Sequence, residues 1–272
     1  MNLKKFLLRT AVALVFGPVV ILSALYGRLL WCLVVLSAVL FSVRETDQLL
    51  RAKGANISSA ITLAAGSAVG ISFYRFGEGA LYPLMVLLMI AAFAREIYRK
   101  SGSALLNIAA TLFSALMFSL LFGSFILIRE MNAAAYPMAG EWIVMIFLTT
   151  WVCDTAAYLI GSAWGQRKLM PRISPNKTIE GTIAGFLLAP VTAVLCYFWF
   201  VDGLELADAV IIGLIVGVVG QFGDLFESML KRDAGVKDSS NLIPGHGGML
   251  DRFDSSSFSA PLIYLYLKLF VL

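Results

Sequence analysis

Apolar runs about 17–25 residues long, set off by short clusters of charge, recur from one end of this chain to the other, and a run of that length crosses a bilayer as a helix. Nine such runs are expected as spanning helices, at roughly 10–27, 29–43, 57–74, 79–94, 104–128, 140–161, 181–201, 207–226 and 256–272. Composition agrees. Of the 272 residues, 60% are hydrophobic and 14% charged, against about 45–50% and about 25% in soluble domains. The expected fold class is all-α, a polytopic integral membrane bundle of about nine transmembrane helices. Three segments organise it: N-terminal transmembrane helices over 1–100, middle helices with a cytoplasmic SPNKT loop over 101–178, and a polar C-terminal transmembrane region over 179–272.

Basic residues test this count, because cytoplasmic loops retain Lys and Arg. With nine spans and a cytoplasmic N-terminus, only Arg28, Arg75, Arg129 and Lys268 of the 21 basic residues fall on the far side. A missed or spurious span would scramble that alternation. The net charge of +4 thus reads as membrane orientation, aided by anionic head groups. No interleaving of aromatic and basic residues points to nucleic acid. Gly17 and Pro18 interrupt the first run, and no small-residue cleavage site follows, so it is expected to remain as a span. Cys32, Cys153 and Cys196 are scattered among apolar neighbours and read as small core residues, without a disulfide or zinc framework.

Two predicted cytoplasmic stretches break the apolar pattern. One begins at the end of the sixth run, "CDTAAYLIGSAWGQRKLMPRISPNKTIEGTIAG", and the other at the end of the eighth, "GQFGDLFESMLKRDAGVKDSSNLIPGHGGMLDRFDSSS". Both mix acids, bases and turn formers, and both lie on one predicted face. Asp224, Glu227, Ser228 and Lys231 are spaced to share one side of a continuing helix. Near the membrane boundary such acids need a partner or a cation. Asp154 is placed deeper, in the sixth run, as a functional acid or as a hydrogen-bonding partner for a neighbouring helix.

The loop "PGHGGMLDRFD" narrows the chemistry. Gly245, Gly247 and Gly248 permit positive φ and close backbone approach, which suits N–H groups aimed at phosphate oxygens. His246 stands without the nearby Cys or second His that a zinc site needs. Asp251 and Asp254 are hard oxygen donors of the kind Mg²⁺ takes. Lys231, Arg232, Lys237 and Arg252 bring positive charge for the same oxygens. In "RISPNKTIEG", Ser174, Lys177 and Thr178 form either a phosphate-contacting turn or a helix cap with a basic interfacial anchor. There is no GxxxxGK[ST] loop, GxSxG elbow or HExxH motif, which disfavours a P-loop nucleotidase, serine hydrolase or metalloprotease.

From Ser228 to Asp254, "SMLKRDAGVKDSSNLIPGHGGMLDRFD" resembles the signature of the phosphatidate cytidylyltransferases, the CDP-diacylglycerol synthases. Ser228, Lys231, Arg232, Lys237, Asp238, Ser240, Pro244, His246, Gly247, Gly248, Asp251, Arg252 and Asp254 fit it without a gap. "CDTAAYLIG" and "SPNKTIEG" are similar to that family too, so the likeness covers most of the C-terminal half closely. The N-terminal half resembles it only as a set of apolar spans.

The resemblance implies Mg²⁺-dependent transfer of cytidylyl from CTP to phosphatidate, with a catalytic C-terminal region. It implies that Asp224 and Asp251 hold the metal, with Asp238 and Asp254 ligating a second cation or orienting the ligands of the first. Lys231, Arg232, Lys237 and Arg252 would hold the triphosphate, and the Gly245–Gly248 backbone would approach it. Ser174, Lys177 and Thr178, with Glu227 and Ser228 beside them, would contact substrate, and His246 would donate to a phosphate oxygen or to the leaving pyrophosphate. Implied partners are the two substrates and the bilayer, with no nucleic acid and with homodimerisation left open. The compact chain fits a bacterial inner membrane with the site facing the cytoplasm. Alternatives are a related membrane transferase or kinase acting on another lipid phosphate or polyprenol, and a cation transporter built on Asp154 and Asp224.

Overall fold

In lipid every backbone N–H and C=O must be satisfied within the protein, and the helix does this segment by segment. The computed structural model describes residues 3–99, 102–131, 138–243 and 247–272, with side chains described from residue 14 onward. Its helices are α1 (Leu3–Tyr26), α2 (Arg28–Ala52), α3 (Ser59–Phe76), α4 (Leu81–Ile97), α5 (Ala104–Glu130), α6 (Ala139–Trp164), α7 (Ile179–Trp199), α8 (Leu206–Ile215), α9 (Gln221–Asp233) and α10 (Leu250–Tyr266). Among the described residues six stretches, not nine, are long and apolar enough to cross a membrane: Arg28–Ala52, Ser59–Ile97, Ala104–Glu130, Ala139–Trp164, Ile179–Trp199 and Leu206–Asp233. The difference has visible causes. The described apolar part of α1, Leu14–Tyr26, is short of a span. The third and fourth expected runs form one stretch, α3 and α4 joined by the 3-10 turn Gly77–Ala80, and the ninth falls on the 17-residue α10.

The bundle is not purely helical. Lys168–Met170 (β1) and Ser174–Thr178 (β2) pair antiparallel, so SPNKT is a strand of a small hairpin where a bare turn was expected.

The chain forms two compact units, Met1–Glu130 with Ala234–Arg252, and Met131–Asp233 with Phe253–Leu272. In the first, α2 packs on α3 and α5. Gly66 of α3 lets Val39, Val43 and Ser119 come close, and Trp31 stacks edge-on against Phe125 while donating its indole N–H to the Phe125 carbonyl at 3.0 Å. Asp47, only 1% exposed, ties the three helices together by accepting from Ser59 Oγ (2.6 Å), Thr62 Oγ1 (2.8 Å) and Ser114 Oγ (2.5 Å). A carboxylate in that setting needs such donors, since an unpaired buried charge is expensive. Arg129 donates from Nε to the Ala24 carbonyl at 2.8 Å and closes the end of α1. Gly27 (φ +69°) leaves room for that guanidinium.

The second unit is built on close helix approach. Gly181, Gly185, Ala189 and Ala193 recur every four residues along the buried face of α7. A Cβ on Gly181 would collide with the Ala157 carbonyl of α6, and one on Gly185 would press on Cys153. On the α8 side, Gly213 sits directly against the Pro190 backbone, and Gly217 lies close to Ala189 and Phe186 with a little more room. Small residues here act as they do in membrane helix pairs generally, letting backbones meet where lipid supplies no hydrophobic drive. All three cysteines are buried and free, as expected. Between α8 and α9 the turns widen into a π-helical segment, Val216–Gly220.

Gly213→Val forces α7 and α8 apart and is expected to lower stability by ~1–3 kcal/mol. Thermal unfolding of the detergent-solubilised protein measures this, and an unchanged midpoint would show that the close approach is dispensable.

Candidate active site

Within the second unit, acids and amines from four elements meet. Asp224 stands in the first turn of α9, half-buried, and the Lys177 ammonium of β2 reaches its Oδ2 at 2.5 Å. One turn on, the Ser228 hydroxyl donates to Asp224 Oδ1 at 3.3 Å. Glu227, 1% exposed, pairs with Lys231 at 3.2 Å along the same helix. The helical face expected over Asp224, Glu227, Ser228 and Lys231 is therefore present. From α10, the Asp254 carboxyl lies against that of Glu227 and accepts the Ser255 N–H at 2.7 Å. Asp154 of α6 is exposed, accepts from Ser255 Oγ at 3.4 Å, and feels the charges of Asp254, Asp224 and Lys177.

Lys177 and Lys231 thus stand among the acids Asp224, Glu227 and Asp254, with Asp154 close enough to feel their charge.

The hairpin brings Lys177 to Asp224. Glu180, in the first turn of α7, accepts backbone N–H bonds from Gln166 and Arg167 at 3.2 Å each. This staples the hairpin to the helix that follows. Thr178 is buried and caps α7, accepting from Gly181 N at 3.2 Å. Ser174 is half-buried at the head of β2. Of the two readings of this stretch, the structure shows the cap at Thr178 and a direct ion pair at Lys177.

Within the first unit, the part of the signature segment around Ser239 and Gly248–Asp251 folds on its own Asp251 and on Glu45 of α2. Asp251 Oδ2 accepts from Ser239 N (3.0 Å), Ser239 Oγ (2.9 Å) and Gly248 N (2.8 Å). Ile243 donates to the Gly247 carbonyl at 2.8 Å, and Gly247 adopts φ +83°. The positive φ expected of this glycine-rich turn is present. The Gly248 N–H, one of those expected to point at phosphate, here donates to Asp251, and the next two, of Met249 and Leu250, donate to Glu45. Arg232, Lys237, Asp238 and Arg252 are exposed. Gly245 and His246 lie outside the described residues, as does Pro244.

The cytidylyltransferase family profile matches residues 7–270. The chain belongs to the cytidylyltransferase family. It is 37% identical over 193 residues to the phosphatidate cytidylyltransferase of Bacillus subtilis (strain 168), covering 71% of this chain and 68% of that protein. It is 48% identical over 129 residues to the enzyme of the same name from Staphylococcus aureus (strain COL), covering 47% of this chain and 49% of that one. The Staphylococcus haemolyticus (strain JCSC1435) protein so named is 44% identical over 127 residues, with 47% and 49% covered. The matched stretch thus spans about half the length of the staphylococcal relatives.

Two residues of this cytidylyltransferase-family chain stand out beyond the expected set. Asp154 drew notice as an intramembrane acid, and the structure brings it to Asp254 and Asp224. Glu45 drew none, because the N-terminal half reads as plain apolar spans. The available signal was "SVRETDQLL", two acids in a helix otherwise apolar enough to span.

Lys231→Met removes the ammonium paired with buried Glu227 and is expected to cost ~3 kcal/mol, as for other broken buried pairs. Adding Glu227→Gln should recover part of that loss. A double-mutant cycle on unfolding midpoints checks it, with full additivity as the contrary result.

Proposed function

We propose that this protein transfers cytidylyl from CTP to phosphatidate, releasing pyrophosphate and forming CDP-diacylglycerol. The observation that carries the reading is the junction of Asp224, Lys177, Glu227, Lys231 and Asp254 in the second unit. Family membership and the names of the relatives support it. A phosphatidate monoester is largely ionised near neutral pH, since its second pKa is about 6. Its oxygen attacks the α-phosphorus of CTP, and the α–β phosphoanhydride bond breaks. No side-chain nucleophile is required. Bringing two polyanions together is the difficulty, so positioning and charge neutralisation dominate.

Magnesium is the cofactor that the family resemblance implies, and the donor chemistry fits it. Asp224 and Asp254 offer hard oxygens, and Mg²⁺ usually takes one or two carboxylates and completes its shell with water and substrate phosphates. Among the described residues no group of three or more His, Cys, Asp or Glu is arranged to hold a metal. That sparse set is compatible with an ion completed by substrate. The Asp254 carboxyl beside that of Glu227 adds a further acidic oxygen donor at the same place. When bound, the ion would neutralise charge on the reacting phosphates.

We assign Asp224 and Asp254 as its ligands and Asp251, whose Oδ2 already gathers three donors, to shaping the signature segment. Lys177 and Lys231 hold the acids in place until substrate arrives, and then share their charge with phosphate oxygens. Arg232, Lys237 and Arg252 are exposed and attract polyphosphate.

The proposed setting is a bacterial inner membrane, with a cytosolic N-terminus and the site open to cytosolic CTP. Nine crossings remain the proposed topology. The stretch Ser59–Ile97 has 39 residues, and at 1.5 Å per residue it is about 58 Å long, nearly twice the hydrocarbon thickness. A turn at Gly77–Ala80 lets it cross twice.

The test is conversion of radiolabelled CTP and phosphatidate by the purified protein, with Mg²⁺ or with EDTA. Asp224→Asn is expected to reduce turnover at least ~10-fold, and EDTA to abolish it. Metal-dependent CTP binding without product would redirect the reading to another lipid acceptor. A folded protein that binds no CTP would overturn it.

A further inference from the structure

We propose that Glu45, on α2, is a positioning residue that holds the signature segment in its working shape. The inference rests on the proposed use of that segment for CTP.

The Glu45 side chain is 3% exposed, and its donors come from a part of the chain 194 to 205 residues later. Oε1 accepts from Ser240 Oγ at 2.6 Å and from Met249 N at 2.9 Å. Oε2 accepts from Ser239 Oγ and from Leu250 N, both at 2.9 Å. An ionised carboxylate has about four acceptor positions, and here four donor groups reach it, the Ser239 hydroxyl dividing its one proton between Glu45 and Asp251. None of the four is a cation. Among the described residues, two hydroxyls and two backbone amides, the amides at the head of α10, satisfy this buried carboxylate, and they do so in this shape of the segment.

The fit also explains Gly248. A Cβ there would collide with Ser239 Oγ and with both Glu45 carboxylate oxygens. Ser239 adds a further link, because its hydroxyl lies within hydrogen-bond range of Glu45 Oε2 and of Asp251 Oδ2 alike. Glu45 therefore acts on Asp251 through one shared hydroxyl and two consecutive backbone amides. Two residues along the same helix, Asp47 does the different work of tying α2, α3 and α5 together. Packing of the helices and shaping of the signature segment are thus divided between two neighbouring acids.

Glu45→Gln separates the two kinds of role. The amide keeps the side chain's volume but offers one acceptor oxygen and turns an NH₂ group toward a backbone N–H. Full-length wild-type, Glu45→Gln, Ser240→Ala and Ser114→Ala proteins are compared by amide hydrogen exchange over residues 239–252, by unfolding midpoint, and by the KM for CTP and kcat. Exchange in that segment is expected to quicken at least ~10-fold in Glu45→Gln, with the KM for CTP raised at least ~5-fold. Ser240→Ala should shift both in the same direction by ~2–3-fold. Ser114→Ala, whose hydroxyl bonds Asp47 and the Val43 carbonyl and nothing in the segment, should lower the midpoint and leave the exchange of the segment and the KM unchanged.

Wild-type exchange and KM in Glu45→Gln would overturn the proposal. Should Glu45→Gln fail to fold, wild-type values in Ser240→Ala would do the same. Exchange needs no turnover, so a wild-type protein that made no CDP-diacylglycerol would count against the proposed activity and leave the exchange result to decide the role of Glu45.

Discussion

An ionised group away from water must find its counterpart inside the protein, and in this chain that demand fixes which helices can be neighbours. Asp47 collects three hydroxyls from two other helices. Glu45 collects two hydroxyls and two amides from a distant stretch. Glu227 pairs with Lys231 one turn away, and Asp224 with Lys177 on the hairpin. Apolar packing alone would tolerate several arrangements of similar helices, since lipid competes equally for every greasy face. Buried carboxylates do not, because a wrong neighbour leaves a charge unmet.

Close packing then sets the distances. The row of small residues on α7 brings α6 near enough for Asp154 to feel Asp224 and Asp254, and Gly213 against Pro190 fixes α8 on the other side. The acids of the candidate site thus sit on helices, with the hairpin supplying one lysine. A site on such supports holds its geometry better than one built from loops alone. The bases Arg232, Lys237 and Arg252 of the signature segment are exposed instead, where long-range attraction depends little on orientation.

Much of the candidate site was legible because its residues are close in sequence. Asp224, Glu227, Ser228 and Lys231 share a helical face by spacing alone, and the helix is there. The positive φ of Gly247 also followed from its type. What escaped depended on long-range contact. Glu45 is an ordinary acid until the segment from Ser239 to Leu250 lands on it, and no local rule connects the two. The hairpin was missed because Pro175 and Asn176 argue for a turn, whereas pairing with β1 and the Glu180 staple override that preference. Nine expected spans against six of full span length among the described residues reflects a real ambiguity of apolar runs: composition marks what is greasy, while helix length and the joining of neighbouring runs decide how the stretches are divided.

The π-helical segment Val216–Gly220 precedes the acidic face of α9. Each residue advances an α-helix by about 100°, so one residue more or fewer in that widened turn re-aims everything after it. The segment therefore sets the rotational phase of Asp224 and Glu227. Replacing the exposed Val218 leaves that phase alone, whereas a single-residue insertion or deletion would turn both carboxylates about 100° away from the groups they now face. Over evolutionary change, this position should vary more readily than the length of the stretch.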